Sequence, residues 1–152
     1  MKNITHSMPS IENDDIQAIV EILKSGDLDE GIKVKEFEKA AGEYIGREYV
    51  SAVNSGFAAI HLSLLALGIG PNDEVILPAY ACKALLNPVK IVGAKPVVVD
   101  IAPGSFNISI KESIKKITSR TKAIIVAHTF GFPADIEMLV ETGIPVIEDC
   151  AQ

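Results

Sequence analysis

The chain has no tryptophan, and its aromatic residues are three tyrosines and five phenylalanines. No apolar run approaches the ~20 residues of a helical membrane span. The stretch Met1-Lys2-Asn3-Ile4-Thr5-His6 lacks the apolar core of a signal peptide. Cysteine is scarce too: Cys82 and Cys150 are too few and too far apart for a disulfide framework, and nothing marks a secreted protein. A cytoplasmic protein is therefore expected, with no membrane partner. Positive charge is also short, at 14 Lys and Arg against 20 Asp and Glu, a formal net charge of -6. The densest basic stretch, Lys115, Lys116, Arg120 and Lys122, reads as a solvated helix end. A nucleic-acid partner is not expected. The three histidines show no ligand spacing, so no metal site is expected.

What remains is an ordinary globular composition, 48% hydrophobic and 22% charged over 152 residues, enough for a core of its own. There is no repeat and no low-complexity tract. Apolar residues at helical spacing, Ile16, Ile19, Val20 and Leu23, predict a helix over 14–24, capped by Asn13 and closed by Gly26. Val34, Phe37, Ala41 and Tyr44 predict the buried stripe of a second helix over 33–45. These helices make residues 1–47 an N-terminal helical segment.

From residue 48 onward strands and helices alternate. Strands are expected at 49–53, 74–77, 96–100, 123–127 and 145–148. Helices are expected at 58–67, at 82–92 with Pro88 kinking it or near its first turn, at 109–117 and at 135–141. Ser109-Ile110-Lys111-Glu112 matches a capping box. The strands are short, β-branched and continuously apolar, as strands buried on both faces are. The fold class expected is α/β, three layers, with a mostly parallel sheet between helices. Ligands in such folds bind beyond the carboxyl ends of the strands.

Four strand ends carry chemistry. Asn54-Ser55-Gly56-Phe57 turns a strand into a helix, where free N–H groups can hold an anion such as phosphate. Taken alone it reads more readily as plain turn chemistry. Glu148-Asp149 follows the last strand, and a carboxylate there can hold a cationic ring nitrogen or simply cap the next segment. Tyr80, Cys82 and Lys83 share a loop after a strand. Cys82 reads as a small apolar residue or a reactive thiol, and Lys83 as a surface lysine or an imine partner. His128 ends another strand, as a hydrogen-bonded structural residue or a ligand contact. One ligand with a phosphate at one end and a ring nitrogen at the other would account for two of these sites.

The order and spacing of several segments resemble the DegT/DnrJ/EryC1/StrS sugar aminotransferases, a family of fold-type I pyridoxal-phosphate (PLP) enzymes. The likeness runs through Ser25-Gly26-Asp27-Leu28, Gly31, Phe37-Glu38 and Tyr44-Ile45-Gly46. It continues in Asn54-Ser55-Gly56-Phe57-Ala58-Ala59-Ile60-His61-Leu62 and in Leu67-Gly68-Ile69-Gly70-Pro71-Asn72-Asp73-Glu74-Val75-Ile76. Gly93-Ala94-Lys95-Pro96-Val97 with Asp100 follows, then Thr121-Lys122-Ala123-Ile124-Ile125 with His128 and Gly131, and finally Glu148-Asp149-Cys150-Ala151-Gln152. The resemblance implies that residues 48–152 are part of the PLP-binding large domain. It implies that the Gly56 and Phe57 amides face the PLP phosphate, with Ser55 nearby. Asp149 would pair with the pyridine nitrogen and Gln152 would reach the ring hydroxyl. Cys82 falls where the family places a ring-stacking aromatic, so Tyr80 is expected to compensate, and His128 to lie near the site.

The resemblance also implies an activity: transfer of an amino group from an amino acid, typically glutamate, to a nucleotide-linked keto-sugar, as in cell-envelope polysaccharide biosynthesis, by a homodimer. The family's Schiff-base lysine and small C-terminal domain lie later than Gln152. The expectation is therefore a truncated chain with no catalytic residue of its own, inactive alone. Two alternatives stand beside it: a non-catalytic domain with weak or no PLP binding, and a PLP-dependent sugar dehydratase.

Overall fold

In the computed structural model, which describes residues 8–29 and 31–152, the apolar runs pair as one parallel sheet. Its strands are β1 (Glu74–Pro78), β2 (Lys95–Val99), β3 (Thr121–Ala127) and β4 (Val146–Asp149), in the order β2-β1-β3-β4. The helices are α1 (Asn13–Ser25), α2 (Ile32–Ile45), α3 (Gly56–Ala66), α4 (Lys83–Ile91), α5 (Ile110–Lys115) and α6 (Glu137–Val140). Two compact units result, divided between Ala52 and Val53. Residues 1–7, including the stretch searched for a signal peptide, lie outside the described residues. Among the described residues no helix is long and apolar enough to cross a membrane.

Alternation along the central strands sorts the core into two layers. Val75, Leu77, Ala123 and Ile125 face one side, where Ile60 and Leu64 of α3 and Leu85 and Val89 of α4 cover them. Ile76, Ile124 and Val126 face the other side with Val99, covered by Ile108, Leu139 and the partly buried Ile110 and Ile114. Each fully buried aliphatic side chain contributes about 1.5–3 kcal/mol. The three-layer α/β expectation is met, and the sheet is parallel at every pairing.

Several local expectations are corrected. The strand expected at 49–53 does not form: Ala52 donates its N–H to the Glu38 carboxylate at 2.8 Å, so a side chain on α2 takes the bond a neighbouring strand would have made. The α2 stripe is not buried: Phe37 and Tyr44 are exposed, since helical spacing fixes which residues share a face and not whether anything covers it. At α1 the capping residue is Glu12 rather than Asn13, and its N–H donates to Asp15 Oδ2 at 2.8 Å. Half of the Ser109 capping box forms: Ser109 Oγ accepts the Glu112 N–H, while the Glu112 carboxylate turns to Lys115 instead. Pro88 lies buried inside α4, beyond its first turn, and its carbonyl accepts the Val92 N–H, so the helix continues past the ring to Ile91.

At the amino ends of the strands Glu74 is buried and ion-paired. Its carboxylate accepts the Thr118 hydroxyl at 2.7 Å, Arg120 Nη2 at 2.8 Å and Lys95 Nζ at 3.1 Å. The Thr118 and Lys95 hydrogen bonds, with the Arg120 charge, hold it below its ordinary value of 4.5. A carboxylate depressed in the folded state adds stability above its unfolded pKa and loses it as pH falls through the folded one. Glu74→Gln should therefore lower the Tm at neutral pH and narrow the gap to the parent protein below about pH 4. Thermal melts across that range check this; a gap independent of pH contradicts it.

Candidate active site

Parallel pairing puts the carboxyl ends of all the strands on one rim. A cleft of about 460 Å³ opens there, lined by Tyr80 and Cys82 after β1, His128 and Phe130 after β3, and Asp149 and Gln152 at and after β4. The amino end of α3 belongs to the same rim, since its carboxyl end leads through 67–73 to the start of β1. Ser55, Gly56 and Phe57 do not line the cleft itself.

At that helix start Ser55 is the capping residue. Its Oγ accepts the Ala58 N–H at 3.2 Å and its carbonyl accepts the Ala59 N–H at 3.0 Å. A helix leaves its first N–H groups without intrahelical partners. Here the Gly56 and Phe57 N–H groups make no hydrogen bond with a described residue, at the positive end of the helix dipole.

Asp149 ends β4. Its carbonyl accepts the His128 N–H at 3.1 Å and its Oδ1 accepts the Ala151 N–H at 3.1 Å. Oδ2 makes no hydrogen bond with a described residue. Burial, then the charges of Glu148 and Asp149, push the Cys150 thiol above its ordinary 9.0. Cys150 therefore stays protonated and is a poor nucleophile at neutral pH.

His128 is held at both ring nitrogens. Nδ1 accepts the Ala134 N–H at 3.0 Å, so the ring proton sits on Nε2 and goes to Glu148 Oε2 at 2.9 Å. The ring borders the cleft as a fixed wall. Cys82 is the capping residue of α4, exposed, with its sulfur making no cap hydrogen bond. Lys83 opens that helix, exposed and outside the cleft lining. Gln152 Oε1 accepts the Phe130 N–H at 2.6 Å, which leaves the amide NH2 of Gln152 to donate elsewhere.

Two residues of this rim escaped sequence reasoning. Phe130 sits in the left-handed region, φ 58° and ψ 26°, within a 3-10 turn over Thr129–Gly131. Asn107, buried, clamps that turn: Oδ1 accepts the Thr129 N–H at 3.0 Å and Nδ2 donates to the Phe132 carbonyl at 2.9 Å. A Phe directly before Gly131, just past a strand end, was the available signal for Phe130. Asn107 carried none, since its partners lie 22 and 25 residues away.

The family model described as the DegT/DnrJ/EryC1/StrS aminotransferase family matches residues 9–152. The chain belongs to that family. Among solved structures, a protein described as a sugar aminotransferase from Streptococcus pneumoniae, known in PLP and pyridoxamine-phosphate (PMP) forms, is 36% identical in both forms, with a TM-score of 0.89. The match to its PMP form covers 92% of this chain and 35% of that one. NtdA from Bacillus subtilis, with bound PMP, is 37% identical at a TM-score of 0.82, covering 93% and 34%. An aminotransferase from Psychrobacter cryohalolentis is 32% identical at 0.88, covering 95% and 38%. This family member therefore spans between a third and two fifths of the length of these relatives, and PLP is the family's cofactor.

The donor set suits that cofactor. The Gly56 and Phe57 N–H groups, which bond to no described residue, match a phosphate, and the Asp149 carboxylate, whose Oδ2 bonds to no described residue, matches a protonated ring nitrogen.

Removing the clamp should loosen the turn without touching the sheet. Asn107→Ala should cost about 1–3 kcal/mol, the range for leaving buried backbone groups unpaired. Urea melts should show this, and hydrogen exchange should quicken at the Thr129 amide; an unchanged Thr129 amide contradicts the clamp.

Proposed function

We propose that this chain is the cofactor-binding portion of a PLP-dependent aminotransferase that moves an amino group from an amino acid, glutamate in this reading, to a nucleotide-linked keto-sugar. The observation that carries it is Asp149, which lines the cleft with one carboxylate oxygen bonded to no described residue. When bound, PLP supplies an electron sink for charge developing on the α-carbon of an amino acid. In this reading the Gly56 and Phe57 amides hold the phosphate, with Ser55 keeping the helix start in shape. Asp149 holds a proton on the pyridine nitrogen, which a nearby anion favours. The Gln152 amide donates toward the ring hydroxyl, and Tyr80, Cys82 and His128 form the cleft walls. A homodimer in the cytoplasm belongs to the same reading.

No residue of this chain is given the imine-forming role. Among the described residues no lysine lines the cleft, which favours, for these residues alone, a second reading: cofactor binding without turnover. PMP is the suitable probe, because it cannot form an imine with surface lysines. Equilibrium dialysis should show saturable PMP binding that Asp149→Ala weakens at least tenfold, about 1.4 kcal/mol. Binding unaltered by that substitution, or no binding at all, contradicts the proposal.

A further inference from the structure

Beside Asp149 the cleft has an aromatic wall. Tyr80 comes from the loop after β1 and Phe130 from the turn after β3, and both line the cleft. Their ring centroids are 6.4 Å apart. Phe106 braces them from outside the lining: it meets Phe130 edge-on at 5.0 Å and 85°, and lies 6.3 Å from Tyr80. Edge-to-face pairs at such distances are favourable.

This wall is maintained against two costs. Phe130 is 53% exposed, so burial does not account for its place. Its backbone is left-handed, a conformation that non-glycine residues adopt rarely and that persists where the surroundings impose it. Gln152 holds the Phe130 N–H, while Asn107 pins the residues on either side of the Phe130–Gly131 pair. Three hydrogen bonds thus present one aromatic ring to the cleft mouth.

The sheet order indicates what the ring faces. β4, β3 and β1 are consecutive neighbours. Phe130 follows β3 and Tyr80 follows β1, so a planar ring held by its nitrogen at Asp149, at the end of β4, would have both aromatic rings on the neighbouring strand ends. Cys82, on the same wall, offers no π-face. We infer that Phe130, supported by Tyr80, is the residue that contacts the face of the cofactor ring in this chain, in place of an aromatic at position 82. This inference rests on the proposed cofactor site and adds a binding residue to it.

The test is a PMP titration of the 152-residue protein, followed by PMP fluorescence, with variants at three positions. Phe130→Ala and Phe130→Leu should each weaken binding about tenfold, and Phe130→Tyr should stay within about twofold of the parent. Phe132→Ala removes an exposed ring outside the cleft and should change nothing. Asp149→Ala separates the two levels of the account. PMP binding lost in Asp149→Ala but intact in both Phe130→Ala and Phe130→Leu overturns the ring contact and leaves the cofactor site standing. Phe130→Leu binding like the parent overturns an aromatic contact in favour of apolar bulk. No saturable binding by the parent protein overturns both. Far-ultraviolet circular dichroism confirms folding, and if Phe130→Ala fails to fold, Phe130→Leu and Phe130→Tyr decide the matter.

Discussion

Parallel pairing of β1 with β3, both strands buried on both faces, is the constraint from which the rest of the second unit follows. A parallel strand cannot be reached by a tight hairpin, so every connection must cross over the sheet. The crossovers carry α4 on one face and α5 and α6 on the other, and these helices close the two layers of the core. The same constraint sends every strand's outgoing loop to one rim. Structural and chemical roles are thereby separated by end: Glu74, Lys95 and Arg120 tie the amino ends together with charge and Thr118 adds its hydroxyl, while the carboxyl ends keep carboxylate, amide and aromatic groups around open space.

The carboxyl rim is stitched rather than packed. The His128 N–H to the Asp149 carbonyl extends the pairing of β3 and β4 by one bond, and the His128 ring secures Ala134 and Glu148. Asn107 and Gln152 reach the intervening turn from opposite directions along the chain. Directional bonds fix the backbone of this turn, and the Phe106 and Tyr80 rings brace the Phe130 side chain. Such an arrangement suits a binding site, whose polar groups must be fixed before the ligand arrives.

Much of this was legible in the sequence. The continuous β-branched runs at 74–77 and 123–127 announced strands buried on both faces, and Ser55-Gly56 and Asp149 announced the rim. The resemblance proposes these points as a single site; the cleft gathers Tyr80, Cys82, His128, Asp149 and Gln152, while Ser55, Gly56 and Phe57 stand outside its lining. What the sequence concealed was long-range or a matter of competition. Residues 49–53 look like a strand, but strand formation needs a neighbour, and Glu38 satisfied Ala52 instead. The Phe37 and Tyr44 stripe has helical spacing, yet spacing reports which residues share a face and not what covers it. Asn107 reads as an ordinary loop residue until the turn after β3 is brought beside it. Phe130 could not be given a left-handed backbone from its type, since residue type argues against that conformation.

The central claim is that one ligand bridges the start of α3 and the end of β4 across the carboxyl rim. Amide NMR of the 15N-labelled protein, with PMP added stepwise, addresses it most directly. The account predicts shift changes at Gly56, Phe57, Phe130, Ala151 and Gln152, saturating together with a single affinity, and none at Glu74, Thr118 or Thr121. Changes confined to the amino rim, or changes at Gly56 and at Gln152 that saturate at different concentrations, would contradict it.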